Sequence, residues 1–170
     1  LSFVFIAFFA CMAAPPDSEA KQNIILVPLK SGPVKEAKTR WTKDLDQPVW
    51  SLDLSPDGRY EAVGLNDGRV MIFDAATGQD VHTLEAHSKR VYAVDFSPDG
   101  RFLATSGHDE RIVLWDVSTW QELGEFKDVE YIMYALAFSR DGGTLASGSR
   151  GREVVLWDVA SRTRKRTLEG

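Results

Sequence analysis

An all-β fold built from repeated four-stranded antiparallel units is predicted by three features of the sequence. The turn at Ser55–Gly58 returns at Ser97–Gly100 and, with one change, at Ser139–Gly142, a step of 42 residues each time. Short segments rich in β-branched and aromatic residues separate the turns, as is typical of strands. Four such segments fit within one 42-residue unit, and units of this kind form the blades of a β-propeller.

The middle unit shows the order of the strands most clearly. Val91–Phe96 is β-branched and aromatic and stops at a Ser-Pro-Asp-Gly turn, where proline presets φ and glycine accepts the left-handed conformation. Phe102–Thr105 predicts a second strand and Ile112–Trp115 a third. The more polar Gln121–Phe126 predicts a fourth, outer strand. The same phase divides the chain into blades at 49–90, 91–132 and 133–170.

A dipeptide at the end of the third strand is shared by the three units. Phe73-Asp74, Trp115-Asp116 and Trp157-Asp158 are again spaced by 42 residues. Because three copies occur in phase, the match is specific, and residues 49–170 resemble the tryptophan–aspartate (WD) repeat propellers. The resemblance implies a non-catalytic scaffold that binds a protein or peptide partner on its loop face.

The resemblance also implies a hydrogen-bonded tetrad that ties the loop between two blades to the strands. In the middle unit its members are His87, Thr105, Asp109 and Trp115. A buried histidine must satisfy two ring nitrogens, and a carboxylate with a hydroxyl can do so. The first unit keeps only Asp67 and Phe73 of this set. The third keeps only Ser147 and Trp157, so we expect the complete tetrad in the middle blade alone.

Seven further residues are candidates for binding the partner. Aromatic residues recur near the start of the first strand of each blade, which by resemblance places them at the face formed by the loops between blades. Polar residues just before the tetrad-aspartate position, and one arginine, are expected on the same rim. Such a mixture is typical of interaction hot spots, but packing between blades also favours aromatics, and both interpretations remain open. The candidates are Trp50, Tyr92, Tyr134, Arg90, Asn66, His108 and Arg150.

Composition argues against several other classes of protein. The net charge of −5, from 20 basic and 25 acidic side chains, argues against a nucleic-acid-binding surface. The single cysteine excludes a disulfide framework and a zinc site built on paired cysteines. We predict no catalytic residue, no cofactor and no metal site. The alternative function is an accessory or substrate-presenting propeller of a larger exported enzyme, with its catalytic domain outside residues 1–170.

The first fourteen residues are of a different kind from the repeats. They are almost wholly apolar, too short to span a bilayer as a typical helix, and end in small residues, like the remnant of a secretory signal peptide. Cys11 follows Phe8-Phe9-Ala10, a partial match to a lipoprotein site that would anchor the protein to a membrane. Cleavage after Ala13, with loss of Cys11, is the other outcome. The partial match favours plain export to the periplasm or the outside of the cell.

The two ends of the repeat region carry further expectations. Residues 15–48 are expected to be a linker followed by N-terminal strands, which either complete the last blade of a ring or form a degenerate preceding blade. Thr167–Gly170 matches Thr83–Ala86, which directly precedes His87. We therefore expect histidine at position 171 of the parent gene and further blades beyond it, since a closed propeller has roughly four to eight blades.

Overall fold

The computed structural model describes residues 41–150 and 152–169. The chain divides into two compact units, residues 1–45 and residues 46–170. In the first unit the described residues, 41–45, are irregular apart from a bridge residue, Asp44. The signal-peptide remnant at 1–14, Cys11 and most of the 15–48 segment lie outside the described residues.

The strands described in residues 46–170 form three antiparallel sheets of four strands each. The first sheet consists of β1 (Val49–Leu54), β2 (Tyr60–Leu65), β3 (Arg69–Asp74) and β4 (Asp80–Glu85). The second consists of β5 (Val91–Phe96), β6 (Phe102–Gly107), β7 (Ile112–Asp116) and β8 (Gln121–Glu125). The third consists of β9 (Met133–Phe138), β10 (Thr144–Ser149), β11 (Glu153–Asp158) and β12 (Thr163–Glu169). Strands that are consecutive in the chain are neighbours in each sheet, which confirms the predicted propeller blades in an open ring.

The turn between the first two strands of each blade has the predicted conformation. Gly58, Gly100 and Gly142 have φ values of 72°, 71° and 71°, in the left-handed region that favours glycine. In the first copy the Ser55 hydroxyl donates to the Asp57 carboxylate at 2.7 Å and accepts from the Tyr60 amide at 2.9 Å. The third turn keeps this pattern although arginine replaces proline there, so the side-chain hydrogen bonds specify the turn without proline.

Two hydrophobic clusters lie between adjacent blades. The first joins residues of sheets one and two, including Ile72, Val94 and Leu103. The second joins residues of sheets two and three, including Leu114 and Trp157. Both faces of the middle blade are therefore covered by neighbouring blades, as a sheet with two apolar faces requires.

Hydrogen bonds between the inner strands reinforce this packing. The Phe96 amide donates to the Asp53 carboxylate at 2.7 Å, and the Phe138 amide donates to the Asp95 carboxylate at the same distance. Each aspartate lies on one blade and binds the backbone of the next. Burial raises the pKa of Asp53, and it raises that of Asp95 to about 7 although the amide hydrogen bond opposes this effect. At the equivalent position of the third blade the residue is Ala137.

The far face of the third blade differs from its counterparts. Val154 is 42% exposed, whereas the equivalent Ile112 of the second blade is fully buried. Leu168 is 39% exposed, whereas the equivalent Phe126 is also buried. On the inner strand of the same blade Ala135 and Ala137 are also exposed. Among the described residues, this face is the part of the sheet stack that resembles an uncovered blade interface.

Glu61 is an acid at a position where the other blades have leucine. It lies on β2, and the residues one and two repeats later are Leu103 and Leu145. Its side chain is fully buried, and neither carboxylate oxygen has a hydrogen-bond partner among the described residues. Burial raises the pKa of Glu61 to about 7, because a charge without compensation is costly in an apolar environment.

We expect replacement of Glu61 to change how stability depends on pH. Because the pKa of Glu61 is raised on folding, its effect is absent below about pH 4 and the native state loses stability as pH rises towards 8. Glu61→Leu should therefore raise the free energy of unfolding at pH 8 by on the order of 3 kcal/mol, and by less at pH 5. Urea unfolding at the two pH values measures this difference.

Glu85→Leu, at an exposed position of the outer strand β4, is the matched control. It removes an acid of the same type from a solvated site, so the pH dependence of unfolding should stay that of the wild type. An unchanged pH dependence in Glu61→Leu would contradict the prediction.

Candidate functional site

The predicted tetrad residues of the middle blade are joined by hydrogen bonds. The His87 Nδ1 atom lies 2.8 Å from the Asp109 carboxylate, and its Nε2 atom lies 2.9 Å from the Thr105 hydroxyl. The Trp115 Nε1–H donates to the same hydroxyl at 3.1 Å. A neutral imidazole satisfies all three contacts if Nδ1 donates to Asp109 and Nε2 accepts from Thr105. The network therefore joins the loop between blades one and two to β6 and β7.

Close packing holds the histidine ring in this network. A Cβ atom at Gly107 would lie 2.5 Å from the His87 ring, so only glycine fits beside it. Burial acts to raise the pKa of Asp109, but hydrogen bonds from His87 and from the Ser88 amide lower it below its usual value. Asp109 is thus held as a carboxylate that orients His87 and the following amide. These contacts account for both residues as structural groups.

The flanking blades hold incomplete versions of the tetrad. In the third blade the Trp157 Nε1–H donates to the Ser147 hydroxyl at 2.8 Å, and Val129 packs where the histidine would be. In the first blade Val63 and Phe73 are both fully buried. Asp67, which occupies the tetrad-aspartate position, instead accepts from the Arg69 Nε–H at 2.7 Å. The complete network is thus found in the middle blade, among the residues that the structure describes.

The three candidate aromatics form a continuous row across the blades. The rings of Trp50 and Tyr92 meet edge to face at 6.1 Å, and those of Tyr92 and Tyr134 do so at 4.9 Å. Trp50 and Tyr134 nevertheless remain 44% and 43% exposed, while Tyr92 is half-buried between them. The aromatic row (Trp50, Tyr92 and Tyr134) therefore packs between blades and also presents two rings to solvent, so both interpretations of these residues describe part of the arrangement.

Arg90 connects the aromatic row to the polar candidates. Its guanidinium carbon lies 3.8 Å from the centre of the Trp50 ring and 5.8 Å from that of the Tyr92 ring. Its Nε–H donates to the Asn66 side-chain oxygen at 2.9 Å. Stacking on Trp50 with one hydrogen bond from Nε fixes the plane of the guanidinium.

His108 and Arg150 occupy equivalent places at the start of their turns. The His108 amide donates to the Arg90 carbonyl at 2.8 Å, and the Arg150 amide donates to the Ile132 carbonyl at 3.2 Å. The His108 Nδ1 atom also lies 2.9 Å from the Tyr92 hydroxyl. The Arg150 side chain is exposed, and no described contact joins it to the others. The structure thus brings six of the seven candidates together and leaves Arg150 apart.

A cavity of about 360 Å³ opens beside Arg90, between the first two blades. Sequence reasoning missed three of the residues that line it. Ser88 and Lys89 directly follow the tetrad residue His87 and directly precede the candidate Arg90. This position in the loop between the first two blades was the sequence signal that could have identified them as rim residues. The residues lining this rim cavity are Asn66, Asp67, Ser88, Lys89, Arg90 and His108.

Other kinds of site are not seen among the described residues. No group of three or more histidine, cysteine, aspartate or glutamate side chains within residues 41–150 and 152–169 is arranged to hold a metal ion. In that same part of the chain, no helix has the length and apolar character needed to cross a membrane.

Comparison with known proteins identifies the family. The family model described as WD domain, G-beta repeat matches residues 40–74, 78–116 and 121–158, which is more than half of the chain. The chain belongs to the WD-repeat family. The second and third matched segments each begin at or just before the outer strand of one blade and end at the third strand of the next. WD-repeat propellers generally act as non-catalytic scaffolds that bind protein partners.

Individual WD-repeat relatives resemble the chain over part of their length. The protein described as cell division cycle 20.1, cofactor of APC complex, from Arabidopsis thaliana, is 44% identical over 45 residues, or 26% of this chain and 10% of the relative. The structure of U3-55K superposes with a TM-score of 0.72 at 25% identity, covering 75% of this chain and 41% of that one. The crystal structure of the RRP9 WD40 repeats superposes with a TM-score of 0.72 at 26% identity, covering 75% of this chain and 40% of that one. The chain spans about two-fifths of the length of these two structures.

We expect the Thr105 hydroxyl to be essential for the stability of the middle WD repeat. Thr105→Val keeps the side-chain shape but leaves His87 Nε2 and Trp115 Nε1 buried without a partner. The free energy of unfolding should fall by about 2–4 kcal/mol. Thermal and urea unfolding measure the loss. Thr83→Val, on an exposed position of β4, is the control and should change stability by less than about 0.5 kcal/mol. Equal losses in the two variants would contradict the assigned network.

Proposed function

We propose that this chain is a non-catalytic, exported interaction scaffold whose loop rim binds a protein or peptide partner. The observation that carries the proposal is the aromatic row, in which Trp50 and Tyr134 keep nearly half of their surface in solvent while their backbones are held in strands of the first and third blades. Exposed aromatic rings on a rigid support lose little conformational entropy on binding.

The chemistry of the row suits anchoring rather than catalysis. Two exposed rings offer apolar area to a partner, and partner binding would remove that area from water. Arg90, Asn66 and His108 lie beside the rings and supply hydrogen-bonding groups that set orientation. The described interactions of their side chains are with one another and with the rings of the row, and the tetrad histidine is occupied by Thr105 and Asp109. This arrangement supports binding as the role of the rim.

The proposal is tested by peptide selection followed by titration. A library of random peptides displayed on phage is selected on the wild-type chain, and enriched peptides are synthesised and titrated by fluorescence anisotropy. Tyr134→Ala and Trp50→Ala should each weaken binding about tenfold or more, because each removes an anchor ring. The variants should still unfold in a single cooperative transition, since each ring keeps more than two-fifths of its surface in solvent.

The matched control is Leu123→Ala, which removes an exposed apolar side chain from the outer strand β8. Its affinity for the selected peptides should equal that of the wild type. If no enriched peptide distinguishes the wild type from both rim variants, the rim is not a binding surface and the proposal fails.

Export is supported by the apolar sequence at residues 1–14 and its small-residue end. When the parent gene is expressed in its own cell, we expect the mature chain outside the cytoplasm, with its N-terminus at Ala14. Fractionation and mass spectrometry of the N-terminal peptide test this. An acylated N-terminus at Cys11 would replace plain export by lipid anchoring, and a cytoplasmic chain that retains residues 1–14 would overturn export.

A further inference from the structure

We propose that the rim cavity binds an acidic side chain of an extended peptide whose apolar residue lies on the aromatic row. The inference rests on the proposed function and goes further by assigning the chemistry of the partner. It depends on the balance of charges around the cavity, on the contrast with the next blade boundary and on the position of Arg90.

The cations at the cavity are not neutralised by contacts within the described residues. The Lys89 side chain is exposed and has no described partner. The Arg90 Nε–H donates to Asn66, and one face of the guanidinium stacks on the Trp50 ring. The two Nη groups have no described hydrogen bond. A guanidinium held in a fixed plane with free Nη donors suits a carboxylate, which can accept two parallel hydrogen bonds.

The nearby acids are, in contrast, already paired. Asp67 accepts from the Arg69 Nε–H at 2.7 Å, and Asp46 accepts from Arg69 Nη2 at 2.9 Å. Asp109 is bound by His87 and by the Ser88 amide at 3.0 Å. Lys89 and Arg90 are therefore the cations at the cavity that have no acidic partner among the described residues, in a chain whose net charge is −5.

The next blade boundary lacks these two adjacent cations. One repeat after Ser88, Lys89 and Arg90 the residues are Glu130, Tyr131 and Ile132. Glu130 is paired with Arg164 at 3.3 Å, and Tyr131 is exposed. The exposed Arg150 lies at the place of the third blade that is equivalent to His108. A peptide that lies along the row therefore meets two adjacent cations at the first boundary, and an acid and a tyrosine at the same positions of the second.

This asymmetry favours a peptide over a nucleic acid. A nucleic-acid strand offers a negative charge at every nucleotide and is typically held by a basic groove that follows the backbone. Two adjacent cations at one end of an aromatic row fit a single carboxylate placed a few residues from an apolar anchor. The acid supplies direction, and the anchor supplies apolar contact area.

The test uses the full chain and the peptide selection described above. Peptides enriched on the wild type should combine an aspartate or glutamate with an aromatic or aliphatic residue. Replacing that acid by its amide should weaken binding, and Lys89→Gln should weaken binding of the acidic peptide about threefold while leaving the amide peptide unaffected. Lys89→Glu should weaken binding of the acidic peptide about tenfold. Raising the ionic strength from about 0.05 to about 0.5 M should reduce the wild-type preference for the acid.

Two further variants sharpen the comparison. Glu110→Gln removes the exposed acid of the turn that carries His108, so it should modestly strengthen binding of the acidic peptide. Arg140→Gln removes an exposed arginine from the turn at the opposite end of the strands, between β9 and β10, and is the charge-matched control. It should leave the preference for the acid unchanged.

The outcomes separate the inference from the proposed function. Selected peptides that lose binding in Tyr134→Ala but are neutral or basic, and do not respond to Lys89→Gln, overturn the acidic partner and leave the rim as a binding surface. Selected peptides whose binding is unchanged in Tyr134→Ala and in Trp50→Ala overturn both the acidic partner and the proposed binding function of the rim. A single-stranded RNA oligonucleotide that binds in a Lys89-dependent way more tightly than any selected peptide would also overturn the inference.

Discussion

A four-stranded blade of this chain has an apolar face on each side, so its stability depends on a neighbouring blade that covers that face. The two clusters between blades meet this requirement for both sides of the middle sheet. The geometry of the rim follows from the same packing, because loops that leave adjacent blades are brought side by side. Trp50, Tyr92 and Tyr134 form a row only because β1, β5 and β9 are neighbours at the inner edge of the stack.

Polar side chains are buried between blades where their donors and acceptors have hydrogen-bond partners. Thr105 illustrates this: one hydroxyl satisfies a histidine nitrogen and an indole N–H in a buried site. Where the chain lacks the histidine, as at Val129, the position becomes apolar and the packing continues without the network. Glu61 differs, because it is a buried acid outside both clusters and has no described hydrogen bond. Its raised pKa reflects this absence of compensation.

Local sequence patterns were sufficient for the fold and for part of the rim. The 42-residue step, the turn sequence and the Trp-Asp dipeptide fix strand order, because each is a short-range signal repeated in phase. The equivalence of Trp50, Tyr92 and Tyr134 was visible for the same reason. Side-chain direction was not visible. Arg150 has the same phase as His108, yet its side chain has no described contact with the cluster, whereas His108 Nδ1 lies 2.9 Å from the Tyr92 hydroxyl.

Charge compensation was also hidden from the sequence. Lys89 was missed because an isolated lysine in a loop is ordinarily a solvated residue, and its significance arises only when Asp67 is found paired with Arg69. For Glu61 the sequence did carry a signal, because the residues one and two repeats later are Leu103 and Leu145. The pairing of Asp67 with Arg69 depends on which groups meet in space, which a repeat pattern alone does not specify.

The carboxylates of Asp53 and Asp95 couple the three blades into a linear series. Each one binds an amide of the following inner strand, so every link joins nearest neighbours and none spans two interfaces. Within the described array the middle blade has two neighbouring blades and each flanking blade has one, so the middle blade is expected to open last. Amide hydrogens of β6 and β7 should thus exchange with solvent more slowly than those of β10 and β11, and the opening of either flanking blade would separate one ring of the aromatic row from Tyr92.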